Sequence, residues 1–169
     1  MFMKKLFLIR HAKSSWDNHD LSDFERPLNK RGLRDAPFMA KIINKEKIKP
    51  DIIYSSPAVR AAATADFFAE ELGYKKKKII YDENIYEAGI HELENIIQNI
   101  TDDFATAFLF GHNPTITYYA NHLGNKLIDN MPTCSIVGIE FKEETWKKIE
   151  YGNGRTFLFE YPKKYFDTD

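Results

Sequence analysis

Arg10 and His11 follow directly on the apolar run Leu6-Phe7-Leu8-Ile9, and Gly111-His112 follows directly on the run from Ala105 to Phe110. Arg60 comes shortly after a third run, Asp51-Ile52-Ile53-Tyr54-Ser55. If the ends of these runs meet, two guanidinium groups and two imidazoles face one crevice. Arginine binds phosphate oxygens through paired, charge-assisted hydrogen bonds, so such a set suits a phosphate. Two histidines also raise a metal site, but two guanidinium groups beside a divalent cation would repel it. No strong carboxylate pair accompanies them, and no metal is expected. Arg10 and His11 have a plainer reading, as the first polar residues after a buried strand. Two other strands that end in the same way count against it.

A parallel sheet would position these groups. Short, wholly apolar runs read as strands buried on both faces, and helical patterns alternate with them through the first two-thirds of the chain. The apolar positions Leu93, Ile96, Ile97 and Ile100 follow helical spacing, so His91 to Ile100 reads as an amphipathic helix. A helix with Met39, Ile42 and Ile43 on its apolar face is expected from about Asn29 to Lys47, disturbed by Gly32 and Pro37. Ser56-Pro57 reads as a helix start running to Leu72 and Gly73, and Asn113-Pro114 as another, ending near Leu123 and Gly124. Ile79-Ile80-Tyr81 reads as a short strand, Ser135 to Phe141 and Arg155 to Tyr161 as two more. Trp146 to Tyr151 is expected to pair with the latter across Gly152-Asn153-Gly154. The fold class is therefore α/β: a mostly parallel open sheet with helices on both faces and an antiparallel edge strand. In such sheets ligands bind at the carboxyl ends of the strands, where two helix N-termini add backbone donors for an anion.

The 169 residues suffice for one domain with a real core. A net charge of −1 gives no reason to expect nucleic acid or a membrane as partner. Cys134, the single cysteine, excludes an intrachain disulfide or a cysteine-built metal site and reads as a small buried residue at a strand start. No targeting segment is recognised, so a cytoplasmic location is the expectation. The run Lys75 to Lys78 reads as a solvated loop, with attraction of an anionic partner as the alternative. The polar stretch Ala12 to Leu28 is long for a compact domain, and such loops are usually functional or mobile.

Leu8-Ile9-Arg10-His11-Ala12-Lys13-Ser14 resembles the RHG-type signature of the histidine phosphatase superfamily, with alanine in place of its glycine. Ser55-Ser56-Pro57-Ala58-Val59-Arg60-Ala61-Ala62-Ala63-Thr64-Ala65 resembles its second motif and Gly111-His112-Asn113-Pro114 its third. Arg10 to Trp16, the segment from Arg26 to Gly32 and the short length are similar to the SixA-like branch, the small protein-histidine phosphatases, whose members often carry that alanine. The fold this resemblance implies is phosphoglycerate mutase-like.

The resemblance also implies roles. His11 becomes the nucleophile that forms a phosphohistidine, while Arg10, Arg60 and His112 bind the phosphoryl oxygens and stabilise the transition state. Arg26 becomes a further phosphate contact, with a loop salt bridge to Asp23 or Glu25 as the alternative. Ser14 and Asn113 join the substrate-binding set. Glu87 in Ile85-Tyr86-Glu87-Ala88-Gly89 is the candidate general acid, or else a surface glutamate, with Asp17 and Glu83 behind it. His19 and His91 read as surface histidines. The chemistry is consistent: phosphoryl transfer needs positioning and charge neutralisation, which fixed cationic donors supply without a cofactor, and a neutral imidazole is a competent nucleophile.

The expected function is a metal-independent phosphatase acting on phosphohistidine in proteins. The alternatives are a phosphomonoesterase for a small phosphorylated metabolite and a non-catalytic phosphate-binding module. A mutase fits less well, because the chain is short for the insertions that enclose a sugar-acid substrate.

Overall fold

In a computed structural model, residues 1–166 are described. Strand β1 (Lys4–Arg10) lies at the middle of a six-stranded sheet. Its apolar residues alternate between two cores. Leu6 and Leu8 enter one, Phe7 and Ile9 the other, and all four are fully buried. That two-sided burial is why the run is continuous rather than alternating. Helix α1 (Lys30–Lys45) precedes β2 (Ile52–Ser55), and α2 (Val59–Leu72) precedes the two-residue β3 (Ile80–Tyr81). Helix α3 (Ile90–Gln98), β4 (Thr106–Gly111), α4 (Thr115–Leu123), β5 (Ile136–Phe141) and β6 (Gly154–Glu160) complete the chain. The sheet order is β3-β2-β4-β1-β5-β6. The first four strands in that order run parallel, and β5 runs antiparallel to both its neighbours, β1 and the edge strand β6. Helices α1 and α2 cover the Phe7–Ile9 face, and α3 and α4 cover the Leu6–Leu8 face.

The mostly parallel α/β sheet with helices on both faces is thus as read from the sequence, with antiparallel pairing at one side through the reversed strand β5. Three local expectations need correction. Trp146–Lys148 is a short 3₁₀ turn, and β6 pairs with β5 rather than with residues 146–151. The fully buried Trp146 indole donates to Phe104 O, so tertiary packing overrides the hairpin pattern. Helix α2 begins at Val59 without a side-chain cap, and α4 begins at Thr115, likewise uncapped. Ser56 and Asn113 turn instead to partners described below. Pro37 lies inside an unbroken α1. Among the described residues no helix is long and apolar enough to cross a membrane.

Candidate active site

Strand register brings the candidate residues together. Arg10 pairs with Gly111 and Ser55 with Phe110, so the next residues, His11, His112 and Ser56, leave the same edge of the sheet. The His11 amide donates to Gly111 O, while its carbonyl accepts from the amide of Cys134, fixing the backbone on both sides. Thr64 of α2 ties the next residue down: the Ala12 amide donates to Thr64 Oγ1, whose hydroxyl donates to Arg60 O. The Ala12 methyl is buried in the core, which accounts for alanine there.

The His11 ring is held in one tautomer. Its Nδ1 lies 2.8 Å from Ala12 O, which can only accept, so the proton is on Nδ1. The lone pair is then on Nε2, 3.3 Å from the Arg60 Nε–H that donates to it. Burial above all lowers the His11 pKa to about 3, with His112, Arg60 and Arg10 lowering it further against the Ala12 hydrogen bond. His112 is lowered to about 4, first by burial and then by the Arg60 charge. Its Nδ1 lies 3.5 Å from Arg60 Nη2, so the Nε2–H points to Ser56 Oγ at 2.7 Å. Ser56 therefore orients His112 rather than capping a helix.

Arg10 donates from Nη1 to Met131 O (2.8 Å), and its buried Nε has no partner among the described residues. Burial and the neighbouring Arg60 charge hold the Arg10 pKa below its ordinary value. Asn113 donates to Asn130 Oδ1 and Met131 O and accepts from the Thr117 hydroxyl. It thus secures the segment that receives Arg10, which corrects the expectation of a helix cap.

Arg26 is buried and reaches the same cluster. Its guanidinium donates to Asp23 Oδ1 (2.9 Å) and to Ser14 Oγ (3.1 Å), and the exposed Trp16 ring stacks over it at 3.4 Å. The loop salt bridge to Asp23 read from the sequence is present, and Asp23 also meets Arg60: its Oδ2 accepts from Arg60 Nη2 (2.9 Å) and from the Tyr86 hydroxyl (2.7 Å). The Tyr86 hydrogen bond is the largest influence holding the Asp23 carboxyl well below the usual carboxylate range, followed among the lowering effects by Arg26 and Arg60. The sequence does not reveal Tyr86 as part of this cluster, nor Asp23 as more than a salt-bridge partner of Arg26. The only signal was the acidic residue three positions before Arg26.

Glu87 is exposed, with φ of 57°, and lines a cavity of about 270 Å³ with His112, Asn113, Ile85 and Leu93. It shares that cavity with His112, and Asp17, Glu83, His19 and His91 are exposed. Among the described residues no group of three or more His, Cys, Asp or Glu side chains is arranged to hold a metal ion. Three guanidinium groups against one carboxylate leave two positive charges, which matches a phosphoryl dianion.

Fold and site define an α/β protein with a cationic cluster, suited to an anion, at the carboxyl edge of its sheet. Residues 6–129 match the model of the histidine phosphatase superfamily (branch 1), and the chain belongs to that superfamily. An uncharacterised chloroplastic protein of Arabidopsis thaliana is 29% identical over 86% of this chain and 70% of its own length. A structure from Agrobacterium tumefaciens, provisionally named as the phosphohistidine phosphatase SixA, is 25% identical with a TM-score of 0.80, over 95% of this chain and 99% of the other. The protein histidine phosphatase SixA complexed with tungstate has the same fold, with a TM-score of 0.78 at 20% identity over 92% of this chain and 95% of that one. Superfamily and fold together support phosphatase activity.

Proposed function

We propose that this protein is a phosphatase that passes the phosphoryl group through His11 and acts on phosphohistidine in other proteins. The observation that carries this is the His11 ring: neutral, proton on Nδ1, lone pair on Nε2 beside Arg60. Attack by Nε2 on phosphorus forms the new P–N bond as the bond to the leaving group breaks. Arg10, Arg26 and Arg60 take the phosphoryl oxygens, His112 joins them as a donor once the bound dianion draws a proton onto its Nδ1, and the dianion lifts the charge repulsion between Arg10 and Arg60. Water then attacks phosphorus, the P–N pair returns to Nε2, and phosphate leaves with both protons of the water, free to pass one to solvent. Ser14 and Asn113 serve by holding Arg26 and the Met131 segment. A cytoplasmic location fits the single buried thiol, which needs no partner.

A second reading, a phosphomonoesterase for a small metabolite, is favoured by the cavity beside Glu87. A Hydrogenobacter thermophilus relative named phosphoserine phosphatase 1 is 31% identical over 60% of this chain and 49% of its own length. An alkoxide leaving group needs a proton, and general acid catalysis is worth roughly 10²–10⁴-fold. Phosphohistidine expels an imidazole that carries its own proton at neutral pH. Phosphate release from phosphohistidine proteins and from common phosphometabolites, measured for wild type and Glu87→Gln, separates the two. The proposed function predicts the highest kcat/KM on phosphohistidine proteins and a small effect of Glu87→Gln there. A preference for alkyl phosphates with a heavy Glu87→Gln loss would install the second reading.

A further inference from the structure

The acidic residue at the mouth of this anion site has no obvious place in phosphate binding. Asp23 occupies donors of both Arg60 and Arg26, which a phosphoryl group needs, and its own charge opposes an incoming dianion. It is also not a loose surface residue. Tyr86 holds its Oδ2 at 2.7 Å, and Tyr86 is itself wedged between Phe24 and His112, with ring centroids 5.2 and 5.4 Å away. His11 lies at the buried floor, 7% exposed, while the Asp23 side chain is 52% exposed. A group leaving in line with His11 Nε2 departs away from that floor, toward the mouth where Asp23 and Tyr86 stand.

We propose that Asp23 selects the leaving group: its carboxylate accepts a hydrogen bond from the ring N–H of a phosphorylated imidazole, stabilising the protonated form that leaves readily. This rests on the phosphohistidine reading above and names the residue that makes it selective. When the phosphoryl oxygens take over Arg60 and Arg26, Asp23 is released from them but stays on Tyr86, beside the departing ring. The substrate ring keeps its proton on the nitrogen remote from phosphorus. The P–N bond breaks with its electron pair going to the near nitrogen, so neutral imidazole departs as the bond to His11 Nε2 forms. A substrate bearing a second anionic group near the phosphoryl instead meets the Asp23 charge, which disfavours acidic metabolites.

The test compares phosphoimidazole with p-nitrophenyl phosphate, whose phenolate leaves without a proton, in wild type and Asp23→Asn. The variant keeps the shape and the acceptor oxygen for Tyr86 but loses the charge. The ratio of kcat/KM for phosphoimidazole to that for p-nitrophenyl phosphate should fall at least tenfold. Inhibition by inorganic phosphate should stay as tight or become tighter, because a competing anion is gone. A smaller fall in the ratio, or weakened phosphate inhibition, would show Asp23 merely positioning Arg60 and overturn the proposal. Wild-type enzyme that hydrolyses p-nitrophenyl phosphate but not phosphoimidazole would overturn the phosphohistidine reading and this proposal with it.

Discussion

At the scale of single residues, the chemistry turns on keeping a histidine neutral among arginines. An ordinary imidazole titrates at about 6.5, but burial and the surrounding cations bring His11 to about 3. In the proposed mechanism the nucleophile is therefore ready well below neutrality. With p-nitrophenyl phosphate, and after correction for the ionisation of the substrate, kcat/KM should stay flat from neutral pH down to about pH 5. It should decline only near pH 4 and below, as His11 takes up its proton. This parameter reports the free enzyme, so an acid limb at about 6.5 would mean that His11 is solvated in solution. At this scale the sequence was informative where residues act at strand ends, as for Arg10, His11 and His112. It offered Asp23 only as a neighbour of Arg26 and was silent on its pairing with Arg60, which comes from a distant segment, because no local pattern records that pairing.

At the scale of elements, the loop from Ala12 to Leu28 is the part that must be held, since it carries Ser14, Asp23 and Arg26. One anchor is the start of α1. Asn29 caps the helix by accepting from the Gly32 amide, and the Asn29 amide donates to Lys13 O. Gly32 is what allows this approach: a Cβ there would collide with the backbone carbonyl of Lys13 and press on Leu28. Backbone cannot swing aside as a side chain can, so Gly32→Ala should cost about 1–3 kcal/mol of stability. It should also shift the loop enough to raise KM more than it lowers kcat. Thermal or urea unfolding together with steady-state kinetics checks both, and an unchanged KM would free the loop from α1. From the sequence, Gly32 read as a disturbance of a helix and as the end of the segment similar to the SixA-like branch, with no structural reason attached. Its reason lies across a tertiary contact, as do the reasons for Ser56 and Asn113, whose cap-like positions serve His112 and the Met131 segment instead. The strands were easier because two-sided burial writes itself into the chain as unbroken apolar runs.

For the whole molecule, the same site is a store of acid sensitivity. His11 and His112 have folded-state pKa values of about 3 and about 4, both below the value of an unfolded histidine. Above about pH 6.5 neither state protonates them, and stability is complete. As pH falls below that, the unfolded chain takes up two protons that the folded protein refuses, so stability drops. The slope reaches roughly 2 kcal/mol per pH unit between about pH 6 and pH 5. Urea unfolding across this window should show that decline, and His11→Asn should remove about half of it. A decline unaltered in the variant would assign the sensitivity elsewhere. Saturating phosphate should flatten the curve, because a bound dianion favours both imidazoles in their charged form.

The most direct test of the central claim is a rapid-quench experiment with substrate labelled on the phosphoryl group. His11 as nucleophile predicts a protein-bound adduct that is labile in acid and stable in base, that forms and decays at rates compatible with turnover, and that maps to His11. His11→Ala should form no adduct and lose turnover. Near wild-type turnover in His11→Ala, or turnover with no such adduct at any time point, would contradict the account.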